Sequence, residues 1–193
     1  MIHHSADIDP GARIAENASV WHLAQVREGA EIGEDCVISR GVYIGPGVAV
    51  GARTKIQNFA QIYDPAVIGA GVFIGPAVIL TNDVYPRSVD PDGSIKRSGH
   101  WTATGVTIGD GASIGARTVV LAGVNIGAWA LIGAGSTIIR DVKPYALVVG
   151  SPGRQVGWVG RAGYRLNEKA PGEWWCPKTG EGYRLVEGTL VAS

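Results

Sequence analysis

Aliphatic residues recur at every sixth position of this chain: Ile8, Ile14, Val20, Val26, Ile32, Ile38, Ile44, Val50, Ile56, Ile62, Ile68, Ile74 and Leu80. Four places after each stands a small or modest apolar residue or threonine, as at Ala18, Ala24, Cys36, Val42, Thr54 and Val78. Two inward-facing positions in six make a core. Three places after the aliphatic residue, Gly11, Asn17, Gly29, Asp35, Gly41, Gly47 and Gly71 are types that accept a positive φ. Each hexad therefore predicts a short strand followed by a corner. The pattern is interrupted at roughly 82–101 and resumes at Ile108, Ile114, Val120, Ile126, Ile132 and Ile138. A helical period is absent throughout. The prediction is an all-β solenoid whose coils stack as parallel strands about 4.8 Å apart, with the number of sides and the hand left open.

Composition narrows the function more than the fold. The chain has 193 residues, enough for one sizeable core, and glycine, at 29 residues, is in excess. Lysine plus arginine equals aspartate plus glutamate at 17 each, so no overall field draws the protein to nucleic acid or an anionic membrane, and neither is expected as a partner. The opening MIHHSADIDPGARI has neither a basic nor an apolar signal-like region, and no run of about 18 apolar residues follows; a cytoplasmic protein is expected. Cys36 and Cys176 have no metal-like spacing, so no metal is expected and Cys36 reads as a small buried residue. The division expected is a repeat domain over 1–156 and a tail over 157–193, where aromatic and β-branched runs separated by PKTGE and EG predict a hairpin-like appendage. Trp158, Trp174 and Trp175 are expected to cover the open end of the solenoid or to pack on a neighbour.

The hexads IGEDCV, IGPGVA, IGAGVF, IGDGAS and IGAGST resemble those of the hexapeptide acyltransferase superfamily over about residues 8–156. That resemblance implies a left-handed parallel β-helix with three hexads per coil, an exception to the usual right-handed crossover. It further implies an acetyl-coenzyme A co-substrate and a homotrimer with sites between subunits. The strings VWHLAQVREGAEIG, KIQNFAQIYD, ILTNDVYPR, PYALVVGSPGRQVGW and CPKTGEGYRL are similar to the subfamily that acetylates the 3-amino group of UDP- or dTDP-linked sugars for surface polysaccharide, O-antigen included.

With coils of that length, residues 18 apart stack. His22, Arg40 and Asn58 then form one column, Tyr63 lies under Thr81, and Asp64 lies under Asn82. These polar departures from the hexad make a nest beside the interruption. Counting TATGVT from Thr102 as a full hexad carries the register onward. Gly115, Gly133 and Ser151 are then expected above Thr81, and Ala116, Ala134 and Pro152 above Asn82. Such a small-residue track suits an extended thioester arm, and Gly153 extends it. Arg140, Lys143 and Arg154 at its far end are candidates for the phosphates of coenzyme A.

Acetyl transfer to an amine needs a neutral amine, an anchor for the developing oxyanion and a leaving thiolate. A thiol of pKa about 8.5 leaves readily, and an amine near the α-amino value of about 8 has a usable neutral fraction. A hydroxyl acceptor demands a general base such as histidine. O-acetyltransferases of the superfamily commonly present one where the loop leaves the coil, and here that place reads Thr81, Asn82, Asp83. N-acetylation is therefore expected. Asn82 orients the amine or the thioester carbonyl, and Asp64 and Asp83 hold the ammonium or take its proton. His22, Arg40, Lys55, Gln57, Asn58, Tyr63 and Arg87 are the candidates for the sugar nucleotide, with Arg87 facing its pyrophosphate. His100, in KRSGHW, is the rival base, and acetylation of a sugar or serine hydroxyl is the rival reaction. Four histidines without paired spacing speak against a zinc-dependent carbonic anhydrase on the same scaffold, and the long interruption speaks against a purely structural solenoid.

Overall fold

A computed structural model describes residues 1–97 and 99–193. Among them there are no helices, and nineteen two-residue strands run from Asp7–Ile8 to Thr137–Ile138. The strands stack in three parallel sheets, which form the faces of a triangular coil. Face one starts at Asp7–Ile8, face two at Arg13–Ile14 and face three at Ser19–Val20. Before the interruption each strand pairs with the one 18 residues on, as Gln61 with Ile79 and Val37 with Lys55. Three hexads therefore make a coil, and the arrangement agrees with the left-handed β-helix that the hexads lead one to expect.

The alternation of each strand puts its second residue inside. Val20, Ile38, Ile56, Ile62, Ile74 and Leu80 have no solvent exposure, nor do Ala60, Ala66 and Val78. At about 1.5–3 kcal/mol per large aliphatic side chain, this continuous column is the main source of stability. The polar inward residues are satisfied: Thr54 Oγ1 donates to Gly69 O at 2.9 Å and accepts from Val72 N at 3.1 Å. Corners turn through positive φ. Gly41 is one such corner, and the ring of Phe59 lies where its Cβ would be, 2.7 Å away, so this coil contact needs glycine for space as well as conformation.

Across the interruption the partner distance grows from 18 to 40, as Ile79 with Val119 and Val67 with Thr107. The insertion is thus 40 − 18 = 22 residues, 83–104, and Gly105, Val106 and Thr107 complete the hexad that Leu80 begins. Its neck is closed by Thr104 N donating to Asn82 O at 2.8 Å. TATGVT is therefore not a hexad of its own, because only its second half re-enters the coil. The last coil is short by two residues: Val142 bridges to Ile126, 16 residues back, and Val148 pairs with Ile132.

Arg154–Trp158 then folds back antiparallel on Ala146–Val149. Strands Asn167–Ala170, Glu173–Trp175, Gly182–Val186 and Thr189–Ala192 form an antiparallel meander, fuller than a single hairpin. Its last turn, Glu187–Gly188, has positive φ at both residues, as a type I′ hairpin requires. Tyr145, Leu166, Cys176, Tyr183 and Leu190 make a second small core with Trp129, Trp158 and Trp174 packed on it. Trp158 also touches the main core and so joins the two. Trp175, expected with them, is 38% exposed on the far side of its strand, as alternation demands. Both cysteines are buried and unpaired.

Candidate active site

The nest predicted at the interruption forms on the corner after face one. The register that pairs Ile62 with Leu80 sets Tyr63 under Thr81 and Asp64 under Asn82. Asn82 Nδ2 donates to Asp64 O at 2.8 Å, which fixes the amide and leaves its Oδ1 as an acceptor. Asp83 Oδ1 accepts from Tyr85 N at 2.8 Å and so starts the loop with an Asx turn. Tyr63 packs on Tyr43, with ring centroids 5.4 Å apart. Burial, then the charge of Asp64, pushes the Tyr43 hydroxyl above the usual tyrosine range, so Tyr43 stays protonated at neutral pH.

Leu121 and Ile139, not Gly115 and Gly133, continue the column of Thr81, and Ala122 and Arg140 continue that of Asn82. The expected small-residue track is corrected accordingly. Gly115, Ala116, Gly133 and Ala134 lie on the corner after face three, above His22, Arg40 and Asn58. The displacement is one hexad, and its cause is the half-hexad at Gly105. Their smallness has a packing reason as well: a Cβ on Gly115 would collide with the backbone of Ala134. Ser151 and Pro152 are also displaced, since the short last coil puts Val149 and Gly150 above Gly133 and Ala134.

A cleft of about 580 Å³ opens at the root of the loop, lined by Tyr63, Thr81, Asn82, Asp83, Val84, Pro86, Leu121, Ala122 and Ile139. Ile139 is shared with a second cavity of about 310 Å³, where Arg140, Lys143, Gly153 and Arg154 converge because the shortened coil draws two corners together. Lys143 Nζ donates to Gly188 O at 2.7 Å, which ties the tail's last turn to this basic end.

The other candidates lie apart from the cleft. His22, Arg40 and Asn58 form the predicted column, with Asn58 Oδ1 accepting from Arg40 N at 3.2 Å, and Gln57 adjoins them. His22 stacks on His3 with centroids 3.5 Å apart. Lys55 points outward from face three. Arg87 lines a separate loop cavity of about 410 Å³ with Tyr85, Asp90 and Lys96. His100 Nδ1 lies 2.8 Å from Asp90 Oδ2, in a pocket that includes Asp83 and Val84 and so adjoins the cleft. Leu121, Ile139, Lys96 and Asp90 were not singled out by the sequence. The first two follow from the pattern once the register is right, whereas the last two depend on how the loop folds. Among the described residues no three His, Cys, Asp or Glu side chains converge as a metal site requires, and no helix is long and apolar enough to cross a membrane.

The bacterial transferase hexapeptide pattern, with six repeats, matches residues 11–46 and 105–140. The second of these segments supplies Leu121, Ala122 and Ile139 of the cleft. Among solved structures, a hexapeptide-repeat acetyltransferase of Vibrio cholerae complexed with acetyl coenzyme A is 26% identical over 67% of this chain and 70% of that one, with a TM-score of 0.58. A maltose O-acetyltransferase from Clostridium difficile is 25% identical over 68% of this chain and 70% of its own, with a TM-score of 0.59. No curated protein matches the sequence.

Proposed function

We propose that this chain transfers the acetyl group of acetyl-coenzyme A to the 3-amino group of a nucleotide-linked sugar. The observation that carries the reading is that the basic cavity of Arg140, Lys143 and Arg154 shares the Ile139 wall with the cleft that Leu121, Thr81 and Asn82 line. Together they offer cations for phosphates at one end, an apolar wall for the arm and a fixed amide at the other. The hexapeptide match and the acetyl-coenzyme A complex of the Vibrio cholerae relative support the donor.

The amine enters at the acidic end. Asp64 and Asp83 flank Asn82, and Arg27 nearby is neutralised by Asp9 at 2.9 Å and Asp7 at 2.5 Å. Asn82 Oδ1 accepts from the amine and aims its lone pair at the thioester carbonyl. The C–N bond forms, the C–S bond breaks, and the proton lost by the amine offsets the one gained by the thiolate. The pyrophosphate of the acceptor meets Arg87 and Lys96 in the loop cavity. In this reading the enzyme is a cytoplasmic homotrimer, and the small-residue corner of Gly115, Ala116, Gly133 and Ala134 in one copy forms the wall opposite the cleft of the next. A monomeric mass with full activity would contradict that assembly.

A second reading, acetylation of a hydroxyl, is favoured by one observation. The Asp90 carboxylate on His100 Nδ1 leaves Nε2 available as a base. Release of coenzyme A thiol against 3-amino sugar nucleotides and their 3-hydroxy twins separates the two. Turnover of an amino sugar alone supports the first, and turnover of the hydroxyl twin alone replaces it with the second.

A further inference from the structure

The basic cavity leaves its charge free. Arg140, Lys143 and Arg154 line it together with one acid, Asp141, and among the described residues none of the three cations is paired with a carboxylate. The acid is engaged elsewhere: Asp141 Oδ1 accepts from Asn125 N at 2.8 Å, and Asn125 Nδ2 lies 3.3 and 3.4 Å from its two oxygens. Lys143 and Arg154 are held by carbonyls instead. Arg154 Nη1 donates to Gly153 O at 3.1 Å, beside it in the chain, whereas Lys143 Nζ donates at 2.7 Å to Gly188 O, 45 residues on, in the last turn of the tail. A carbonyl orients an ammonium without cancelling its charge and uses one of its three N–H donors. Arg27, clamped by Asp7 and Asp9, shows the neutralised alternative. Both sides of the Lys143 contact are fixed. Ala146 N donates to Lys143 O at 3.1 Å, and Leu190, two residues past Gly188, is buried in the second core with Tyr145, two residues past Lys143.

Resting on the transferase reading above, we infer that the tail is part of the donor site: the Glu187–Gly188 turn positions Lys143 for the phosphates of coenzyme A. A free lysine loses rotamer freedom when it meets a phosphate, and here the turn takes that loss when the tail folds. Lys143 makes the phosphate contact with its two remaining N–H groups, and Gly188 is a positioning residue that acts through it. The effect is reciprocal. If the docked turn favours the phosphates, bound phosphates favour the docked turn by the same factor. The uncharged arm of coenzyme A gains nothing from the turn, so the contribution is specific to the phosphates.

The test titrates the full chain, without acceptor, with coenzyme A and with pantetheine, which has the arm but not the phosphates. Lys143→Met, which keeps the stem, is expected to weaken coenzyme A about tenfold. Gly188→Val is expected to weaken it about threefold: a β-branched residue distorts the turn at the φ of +73° found there, and its Cβ would stand 3.3 Å from Lys143 Nζ. In the Lys143→Met background, Gly188→Val is expected to add nothing, and pantetheine is expected to bind the unaltered chain and every variant alike. If Gly188→Val unfolds the tail, amide exchange in the unaltered chain decides: exchange at 186–189 is expected to slow with saturating coenzyme A and not with pantetheine. Coenzyme A affinity unmoved by either single variant, additive losses, equal losses for pantetheine, or exchange unchanged by coenzyme A would overturn the inference. If the expected pattern appears but no acceptor is acetylated, the tail's role stands and the assigned reaction falls. Full turnover with coenzyme A affinity untouched by Gly188→Val leaves the reaction standing and removes the tail from the donor site.

Discussion

In the coil that carries Ile62 and Ile68 the inward side chains are buried, and each strand is bonded to like partners above and below, whereas the described residues of the insertion at 83–104 are mostly exposed. The loop is held by a few local bonds, such as Asp90 N to Ser94 O at 2.8 Å and Lys96 N to Ser88 O at 3.0 Å. Yet the cleft lies where the two meet, the coils giving it Tyr63, Thr81, Asn82, Leu121, Ala122 and Ile139 and the loop Asp83, Val84 and Pro86. Repetition supplies a rigid floor with a fixed column of residues. Irregular chain supplies the side chains that a strict repeat cannot offer, at little cost to the core.

The largest effect expected from that contrast is on stability. Ile62→Ala empties a fully buried site in the column and is expected to cost about 2–5 kcal/mol in urea denaturation. Tyr85→Ala, at an 81% exposed loop position, is expected to change it by less than about 0.5 kcal/mol. Similar losses for both would erase the distinction.

At the junction the expected effect is kinetic. Asn82→Ala removes the amide held by Asp64 and is expected to lower kcat about 100-fold while leaving the KM for acetyl-coenzyme A nearly unchanged. Unchanged turnover would remove Asn82 from the chemistry. At the basic end, Arg154→Ala is expected to raise that KM about tenfold with kcat retained, and a kcat defect without a KM effect would place the phosphates elsewhere. In the loop, His100→Ala is expected to change turnover of an amino acceptor by less than about threefold. A loss of about 100-fold or more would make the His100–Asp90 pair the base.

The smallest effect concerns the chain's first residues, which dock on the first coil through His3 N to Val20 O at 2.8 Å. Burial, then the neighbouring charges of His22 and His4, hold the His3 imidazole below its ordinary value of 6.5. A released segment therefore takes up a proton more readily than the docked one. Docking is complete above pH 6.5 and weakens as pH falls from 6.5 toward the lowered value. Hydrogen exchange at His3 is expected to be faster at pH 5.5 than at pH 7.5, after correction for intrinsic rates; equal protection would show that the stack does not sense pH.

Most of the scaffold was legible in the sequence. A two-in-six apolar pattern with positive-φ residues at the corners has few solutions other than a stacked coil, and the column of His22, Arg40 and Asn58 follows from its period, as does the pairing of Asp64 with Asn82. The tail's turns were marked by glycine and polar residues, although its four strands and their second core were not. These features are local or strictly periodic, and local preference suffices to specify them.

Tertiary structure decided what depends on counting through an irregularity and on chain segments that meet without a period. The half-hexad at Gly105 set Leu121 and Ile139, not Gly115 and Gly133, above Thr81, because the register is fixed by where the loop closes on Asn82 O. The short last coil brought Arg140, Lys143 and Arg154 to one cavity, and the loop's fold brought Asp90 to His100. None of these meetings is encoded by spacing. They arise because each departure from the repeat must close on a backbone whose hydrogen bonds the repeat has already fixed.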